Sequence, residues 1–357
     1  MRPLFFLLSV LLLWSCDPFG DTYSDIEKVV YYESGSKTPA PDDVEELLVM
    51  TWNIKFGGGR IDFWFDCYGD RVLMTVNEVI DNLQGVANYI NQVQPDILLL
   101  QEVDVNSKRC AYIDQLQWIL DNTDLNYAVY ASQWLSQFVP SDGLGPVDSG
   151  NAILSRWPVS NAERIKLDLR TDQDVITRYF YLKRNILKTQ VEVPGQEDLW
   201  ALNIHTAAYS QDGTKEKHLN DLKDEMDEMN AETGRIIIAG GDFNTLPPTS
   251  VKFTDFPDSI CEDEDFQGDD YTEELTWLED FYDDYFPAIT LDVFGTTEDV
   301  QVNFYTHTVQ GPPDGHWSRK LDYLFTNNTV PWHSADTHQN TMDLSDHCPV
   351  TAILEVN

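Results

Sequence analysis

The chain has 357 residues, 42% apolar and 12% aromatic, which allows one large core or two smaller ones and excludes a disordered polymer. The formal net charge of −38 works against non-specific attraction to nucleic acid or anionic membrane. It leaves room for a phosphate substrate, because a bound cation and a few local Lys or Arg reverse the potential inside one cleft.

In chain order, Arg2 and Pro3 precede the apolar run LFFLLSVLLLW, ending at Ser15-Cys16. The run is shorter than the roughly 20 residues of a spanning helix. It resembles a bacterial lipoprotein signal, in which a small residue precedes a lipid-modified Cys, here Cys16. That resemblance implies export and lipid anchoring at the bacterial cell envelope. An ordinary secretory signal or a short anchor is the alternative. Residues 17–46 then read as a flexible polar tether, and 47–357 as one catalytic domain.

Residues 47–54 read as a buried strand. Thr75 and Glu78 form a capping-box pattern, and Val76, Val79, Ile80, Leu83, Val86, Ala87, Ile90 and Val93 recur at helical spacing until Pro95. The wholly apolar run at 97–100 predicts a buried strand, and 112–120 a second helix. Strands are expected at 127–131, 152–154, 175–193 and 199–205, a helix at 214–229, and strands at 236–239, 321–325 and 350–356. Buried strands alternating with amphipathic helices point to α/β layers with mixed sheets.

Residues 253–318 contain no Lys or Arg and many acids, and read as an extended, partly structured insertion with a solvated acidic surface. Asp263, Asp265, Gln267, Gly268 and Glu274 nearly match a calcium-loop spacing, a weaker reading. Cys67, Cys110, Cys261 and Cys348 form no CxxC pair, which argues against zinc and leaves any disulfide pairing open.

Several apolar runs end in a residue able to hold metal or phosphate. LVMTWNIK carries Asn53, PDILLLQEVD carries Gln101 and Glu102, and WALNIHTAAYS carries Asn203 and His205. IIIAGGDFNTL carries Asp242 and Asn244, KLDYLF carries Asp322, and LSDHCPVTAIL carries Asp346 and His347. A carboxylate at the end of a buried strand is costly unless it is paired or binds a cation. Singly these signals are weak. In this order, and with SGNAILSRWP between them, they resemble the endonuclease/exonuclease/phosphatase superfamily over residues 47–357.

The resemblance implies a four-layer α/β/β/α sandwich, with two mixed β-sheets packed face to face. It implies Mg²⁺, with Mn²⁺ as the alternative, near Glu102, Asn53 and Asp346. It further implies catalytic roles for His205, Asp242, Asn244, Asp322 and His347. Asp242 would activate water, Asn244 would bind phosphate, and Asp322 would orient His347. Arg184 is expected to hold phosphate or make a surface pair, and Asn151 to order the turn beside the substrate.

The expected reaction is in-line attack of activated water on phosphorus. The first substrate reading is a nucleic acid, with Arg60, Arg71, Lys108, Arg109, Lys215 and Lys217 rimming the cleft. The alternative is a small phosphoester or lipid headgroup, to which the acidic balance and the aromatic Phe63-Trp64-Phe65 loop are better suited. A non-catalytic binder on the same fold is the least favoured. A monomer is expected.

Overall fold

In the computed structural model the described residues are 22–66, 69–210, 212–260, 270–329 and 332–356. Cys16, the apolar leader and the calcium-like positions 263–268 lie outside them. Among the described residues no helix is long and apolar enough to cross a membrane.

Strands β1 (Ile26–Lys28) and β2 (Val30–Glu33) precede β3 (Glu46–Asn53). Helix α1 (Val76–Val93) leads to β4 (Ile97–Asp104), and α2 (Gln115–Asp121) to β5 (Tyr127–Val139), β6 (Gly145–Ser155) and β7 (Val159–Lys166). Next come α3 (Val175–Phe180), β8 (Asn185–Val191), β9 (Leu199–His205), α4 (Thr214–Asn230) and β10 (Ile236–Asp242). The acidic segment contributes α5 (Glu279–Asp284), β11 (Phe286–Pro287), α6 (Leu291–Phe294) and α7 (Glu298–Gln301). Strands β12 (Asp322–Thr326), β13 (His333–Thr337) and β14 (Val350–Glu355) complete the chain.

Two seven-stranded sheets result, ordered β1-β7-β8-β9-β10-β12-β11 and β13-β14-β3-β4-β6-β5-β2. Each has one central parallel pair, β3·β4 and β9·β10, and its other pairings are antiparallel. Parallel neighbours need a crossover, and the helix-bearing connections through α1 and α4 supply it. The expected capping box is present, with the Thr75 side chain accepting from Glu78 N–H and the Glu78 side chain accepting from Thr75 N–H.

The layers follow from strand periodicity. Val49, Ile97, Leu99, Ile153, Leu187, Ile238 and Leu324 share one cluster, which draws on both sheets. The alternate residues Met50, Trp52, Leu98 and Leu100 pack with Leu83 and Val86 of α1. Leu202, Ile237 and Ala239 pack with Leu219, Leu222 and Met226 of α4. This is the α/β/β/α sandwich, and strands buried on both faces read as continuous apolar runs for that reason.

Three expectations are corrected. Part of the supposed tether is structured: β1 pairs with β7 in one sheet, and β2 pairs with β5 in the other. Residues 175–193 are not one strand, because Asp174 caps α3 by accepting from the Ile176 and Thr177 N–H groups, and pairing resumes only at Asn185. The acidic stretch is not purely a solvated surface. Lys215 donates to both Glu274 oxygens at 2.7 and 2.8 Å, and Arg319 donates to Asp258 at 2.8 Å, with all four residues buried. Both oxygens of Glu274 are thus engaged by a cation of the chain, which removes the last residue of the calcium-like series. Cys110 and Cys348 are buried free thiols.

The apolar interface between the sheets is crossed by an amide. Asn203 of β9 donates to Leu100 O and Ala152 O of the opposite sheet at 2.8 and 2.9 Å, and accepts from Gln101 Nε2 at 2.7 Å. Asn203→Leu keeps the volume but strands these partners. It should cost about 2–3 kcal/mol, read as a lower urea midpoint at unchanged m-value. An unshifted midpoint would show that the amide is dispensable.

Candidate active site

The C-terminal ends of the two parallel pairs meet at one edge of the sandwich. Asn53 ends β3, Glu102 lies near the end of β4, His205 ends β9 and Asp242 ends β10. Asp322, at the start of antiparallel β12, is the direct cross-strand partner of Asp242, and His205 is its partner on the other side.

Glu102 sits on a bulge. The β4–β6 register runs Leu100↔Ala152 and resumes at Val103↔Gly150, and Glu102 takes the left-handed φ of 55°. The bulge lets two successive residues escape alternation: Gln101 reaches Asn203 between the sheets, while Glu102 meets Asn53. On β10, Gly241 has φ 137°, and a Cβ there would lie 1.9 Å from Ile204 O, so only glycine lets β10 approach β9 this closely.

Asn53 joins the two halves of the site. Its Nδ2 donates at 3.1 Å to both Glu102 Oε1 and Asp242 Oδ2, and its Oδ1 accepts from Lys55 N–H. Asp242 Oδ2 also lies 3.3 Å from His205 Nε2 and 3.5 Å from His347 Nε2. His347 Nδ1 is 2.8 Å from Asp322 Oδ2. The His347 backbone is fixed too, its carbonyl accepting from Trp52 Nε1 and its N–H donating to Ser345 Oγ.

Electrostatics separates the two imidazoles. Burial lowers His205 well below its ordinary value, and the charges of Arg184 and His347 lower it further. For His347 burial acts downward, but the carboxylates of Asp322 and Asp242 override it and raise the imidazolium to about 10. Burial, with Asp322 alongside, raises the Asp242 carboxyl, and His347 opposes that shift. A neutral His205 and a protonated His347 therefore flank one buried carboxylate. With Nε2–H of His205 directed to Asp242, its Nδ1 is a buried acceptor with no partner.

The donor set fits a hard cation. Burial raises Glu102, and the nearby Asp346 charge raises it further, with Asn53 as its hydrogen-bond donor. Asp346 is held below its ordinary value despite burial, by Lys55, His347 and Arg60. Two neighbouring carboxylates are what Mg²⁺ or Mn²⁺ binds, while Asn53 turns its Nδ2 to Glu102 and its Oδ1 to Lys55 N–H and so orders the ligand rather than presenting an oxygen. Asp242, Asp322 and His347 also bring one ligand atom each within 4.8 Å of one another. Within that trio His347 Nδ1 is already engaged by Asp322 Oδ2 at 2.8 Å.

Asn244 has φ 50°, its N–H donates to Asp242 Oδ1, and it borders the cluster. Arg184 is buried, donates to Gln133 Oε1 at 2.9 Å and feels the charges of Glu102 and Asp242, so it is no surface pair. Asn151 donates to Asn185 O at 3.4 Å between the sheets. Sequence reading missed Lys55, whose buried ammonium lies 2.8 Å from Asp66 and 3.8 Å from Asp346. It also missed His307, whose ring centroid is 4.6 Å from that of His347. Position within WNIK and THT was the only available signal.

The expected basic rim is largely committed elsewhere. Arg109 is buried against Asp104 at 2.7 and 2.8 Å, and Lys215 against Glu274. Arg71 pairs with Glu78, Lys108 donates to Gly143 O, and Arg60 donates to Thr308 O and Ser345 O. Lys217 is exposed, 3.9 Å from Asp168. The Phe63-Trp64-Phe65 loop packs inward, with Phe63 fully buried, edge-on to Phe56 and stacked on Phe65.

Residues 50–347 match the family model described as Endonuclease/Exonuclease/phosphatase family. The chain belongs to that family. At family level it is a divalent-metal-dependent phosphoesterase. Among solved structures, an endonuclease/exonuclease/phosphatase from Beutenbergia cavernae is similar at 18% identity and TM-score 0.57, over 88% of this chain and 72% of that one. A family protein from Leptotrichia buccalis is similar at 17% identity and TM-score 0.51, over 87% and 100%. The human Nocturnin catalytic domain with bound sulfate matches at 16% and 0.50, over 92% and 98%. These likenesses concern the fold. No curated protein matches by sequence.

The His347 shift predicts a pH signature in metal-free buffer. A raised folded-state pKa contributes stability that is fully present below the unfolded value, near 6.5, and is lost as pH rises through about 10. The melting-temperature advantage of wild type over His347→Gln should span several degrees at pH 6 and shrink steadily toward pH 10. An advantage that grows over this range would contradict the protonated state.

Proposed function

We propose that this protein hydrolyses a phosphate ester bond in a compact substrate, a small phosphoester or lipid headgroup, by in-line attack of water. The observation that carries the hydrolytic reading is the buried series Asp322–His347–Asp242, with contacts of 2.8 and 3.5 Å, set beside Asn53 and Glu102. The compact-substrate reading rests on the rim: five of the six cations expected to track a nucleic-acid backbone are held by partners inside the chain. Phosphate contacts dominate nucleic-acid affinity, and a chain of charge −38 has few cations to spare.

When bound, Mg²⁺ or Mn²⁺ would be held by Glu102 and Asp346, with Asn53 ordering Glu102, and would supply Lewis-acid stabilisation of phosphoryl charge. Asp242, made more basic by burial, accepts the proton of the attacking water. Asn53 and His205 fix its Oδ2. His347 carries a proton at Nε2, where it can meet a phosphoryl or leaving oxygen, and Asp322 fixes its ring and stabilises its charge. Asn244 and Arg184 hold phosphoryl oxygens.

The test uses purified protein with Mg²⁺ or Mn²⁺ on bis(p-nitrophenyl) phosphate, sphingomyelin, inositol phosphates, single-stranded RNA and supercoiled plasmid. Release from a small ester or headgroup with the plasmid intact is expected, as is its abolition by EDTA and by Glu102→Gln at limiting metal. Plasmid nicking without small-ester turnover would return the nuclease reading. Turnover of none of the five would remove the hydrolytic one.

His347→Ala should lower turnover by about 10²–10⁴, and Asp322→Asn should do much of the same damage. The double variant should be little slower than His347→Ala, because residues acting as one unit are not additive. Independent, multiplicative losses would break the pair apart.

We also propose export as a monomer, with lipid attachment at Cys16. Cys16→Ser should shift the protein from the membrane fraction to the soluble one and end lipid labelling. Unchanged labelling would overturn the assignment.

A further inference from the structure

His307 belongs to none of the motifs above, yet its backbone is wedged into the site. It bridges Arg319 on one side and His347 on the other. Its N–H donates to Arg319 O at 3.0 Å, and its carbonyl accepts from the Ser318 N–H and Oγ. The imidazole is 8% exposed and lies against that of His347, with ring centroids 4.6 Å apart.

Its tautomer is dictated from behind. Arg319 Nε donates to His307 Nδ1 at 3.2 Å, and Arg319 Nη2 donates to Asp258 Oδ2 at 2.8 Å. The guanidinium also lies 4.6 Å from the Phe256 ring centroid and 5.5 Å from that of Tyr271. A guanidinium has donors only and does not deprotonate, so Nδ1 must present a lone pair to it. Burial and the adjacent charges of His347 and Arg319 oppose a second ring proton. The one remaining hydrogen therefore sits on Nε2, which has no hydrogen-bond partner among the described residues. The result is a neutral donor of fixed direction beside a cationic one. A flexible hydroxyl or a second imidazolium would be poorer in this place: the first must be oriented on binding, and the second would repel His347.

We propose that His307 is a substrate-contacting residue, whose Nε2–H donates to a phosphoryl oxygen, with Arg319 and Asp258 as positioning residues that set its tautomer. The 253–318 segment thereby reaches the reacting centre through His307, held from behind by the buried Arg319–Asp258 pair. This rests on the phosphoesterase reading of the same site.

The test combines kinetics with ¹⁵N-histidine NMR on the full chain. Wild type should show His307 as the neutral Nε2–H tautomer. With bis(p-nitrophenyl) phosphate and Mn²⁺, His307→Ala should lower kcat by about 10²-fold with KM little changed. His307→Gln, whose amide N–H falls near the Nε2 position, should recover most of that loss, while His307→Asn should not. Melting temperatures of all three identify any loss due to unfolding, and the wild-type tautomer does not depend on the variants. An Nδ1–H tautomer, an undiminished kcat in His307→Ala, or equal damage from Gln and Ala would overturn the proposal. Wild type that turns over none of the five substrates above removes the underlying reading instead. Active wild type with an indifferent His307→Ala removes this proposal alone.

Discussion

The side chain of Asn203 sets how the two sheets sit on each other. Aliphatic surfaces pack tightly but tolerate small slides, whereas an amide with three partners is satisfied in one position only. This matters because the site is divided between the sheets. Asn53 and Glu102 come from one, and His205, Asp242 and Asp322 from the other. Leu100, an acceptor of the amide, is two residues before Glu102, and Asn203 is two residues before His205. A slide between the sheets would thus be felt directly as a change in the 3.1 Å contact between Asn53 and Asp242.

The charge distribution follows the same logic of commitment. The chain is strongly acidic, and most of the cations in the loops after the motif-bearing strands are spent on internal carboxylates or carbonyls. The positive groups near the reacting centre are instead Lys55, Arg184 and the imidazolium of His347, all buried. Buried charges are screened by salt much less than exposed ones. Such an arrangement discriminates by what fits inside the cleft rather than by what drifts toward it.

What sequence could reveal depended on whether the signal was local. The α1 capping box, the apolar runs of β4 and β10, and the polar residues at their ends were legible because spacing along the chain determines them. Strand β7, VSNAERIK, lacks a clean apolar alternation and was missed. The 175–180 stretch, rich in β-branched residues, suggested a strand, but Asp174 capping its first turn prevailed. Partnerships were not legible. Nothing in order or composition tells that Arg109 belongs to Asp104 while Arg184 belongs to Gln133, or that Arg319 donates to His307. The Glu102 bulge was equally hidden, since it depends on the register with β6.

Strands β1 and β2 are separated only by Val29, which packs against the inter-sheet cluster, and they pair with different sheets. The N-terminal segment therefore stitches the two sheets together along one margin of the sandwich. A pull on the chain at residue 22 would first meet β1 and then β2, and would enter the domain as shear along their ladders with β7 and β5. Hydrogen bonds sheared together resist more than bonds opened one after another. A load entering at the N-terminal side would thus fall first on the segment that joins the two sheets, ahead of Asn53 in the chain.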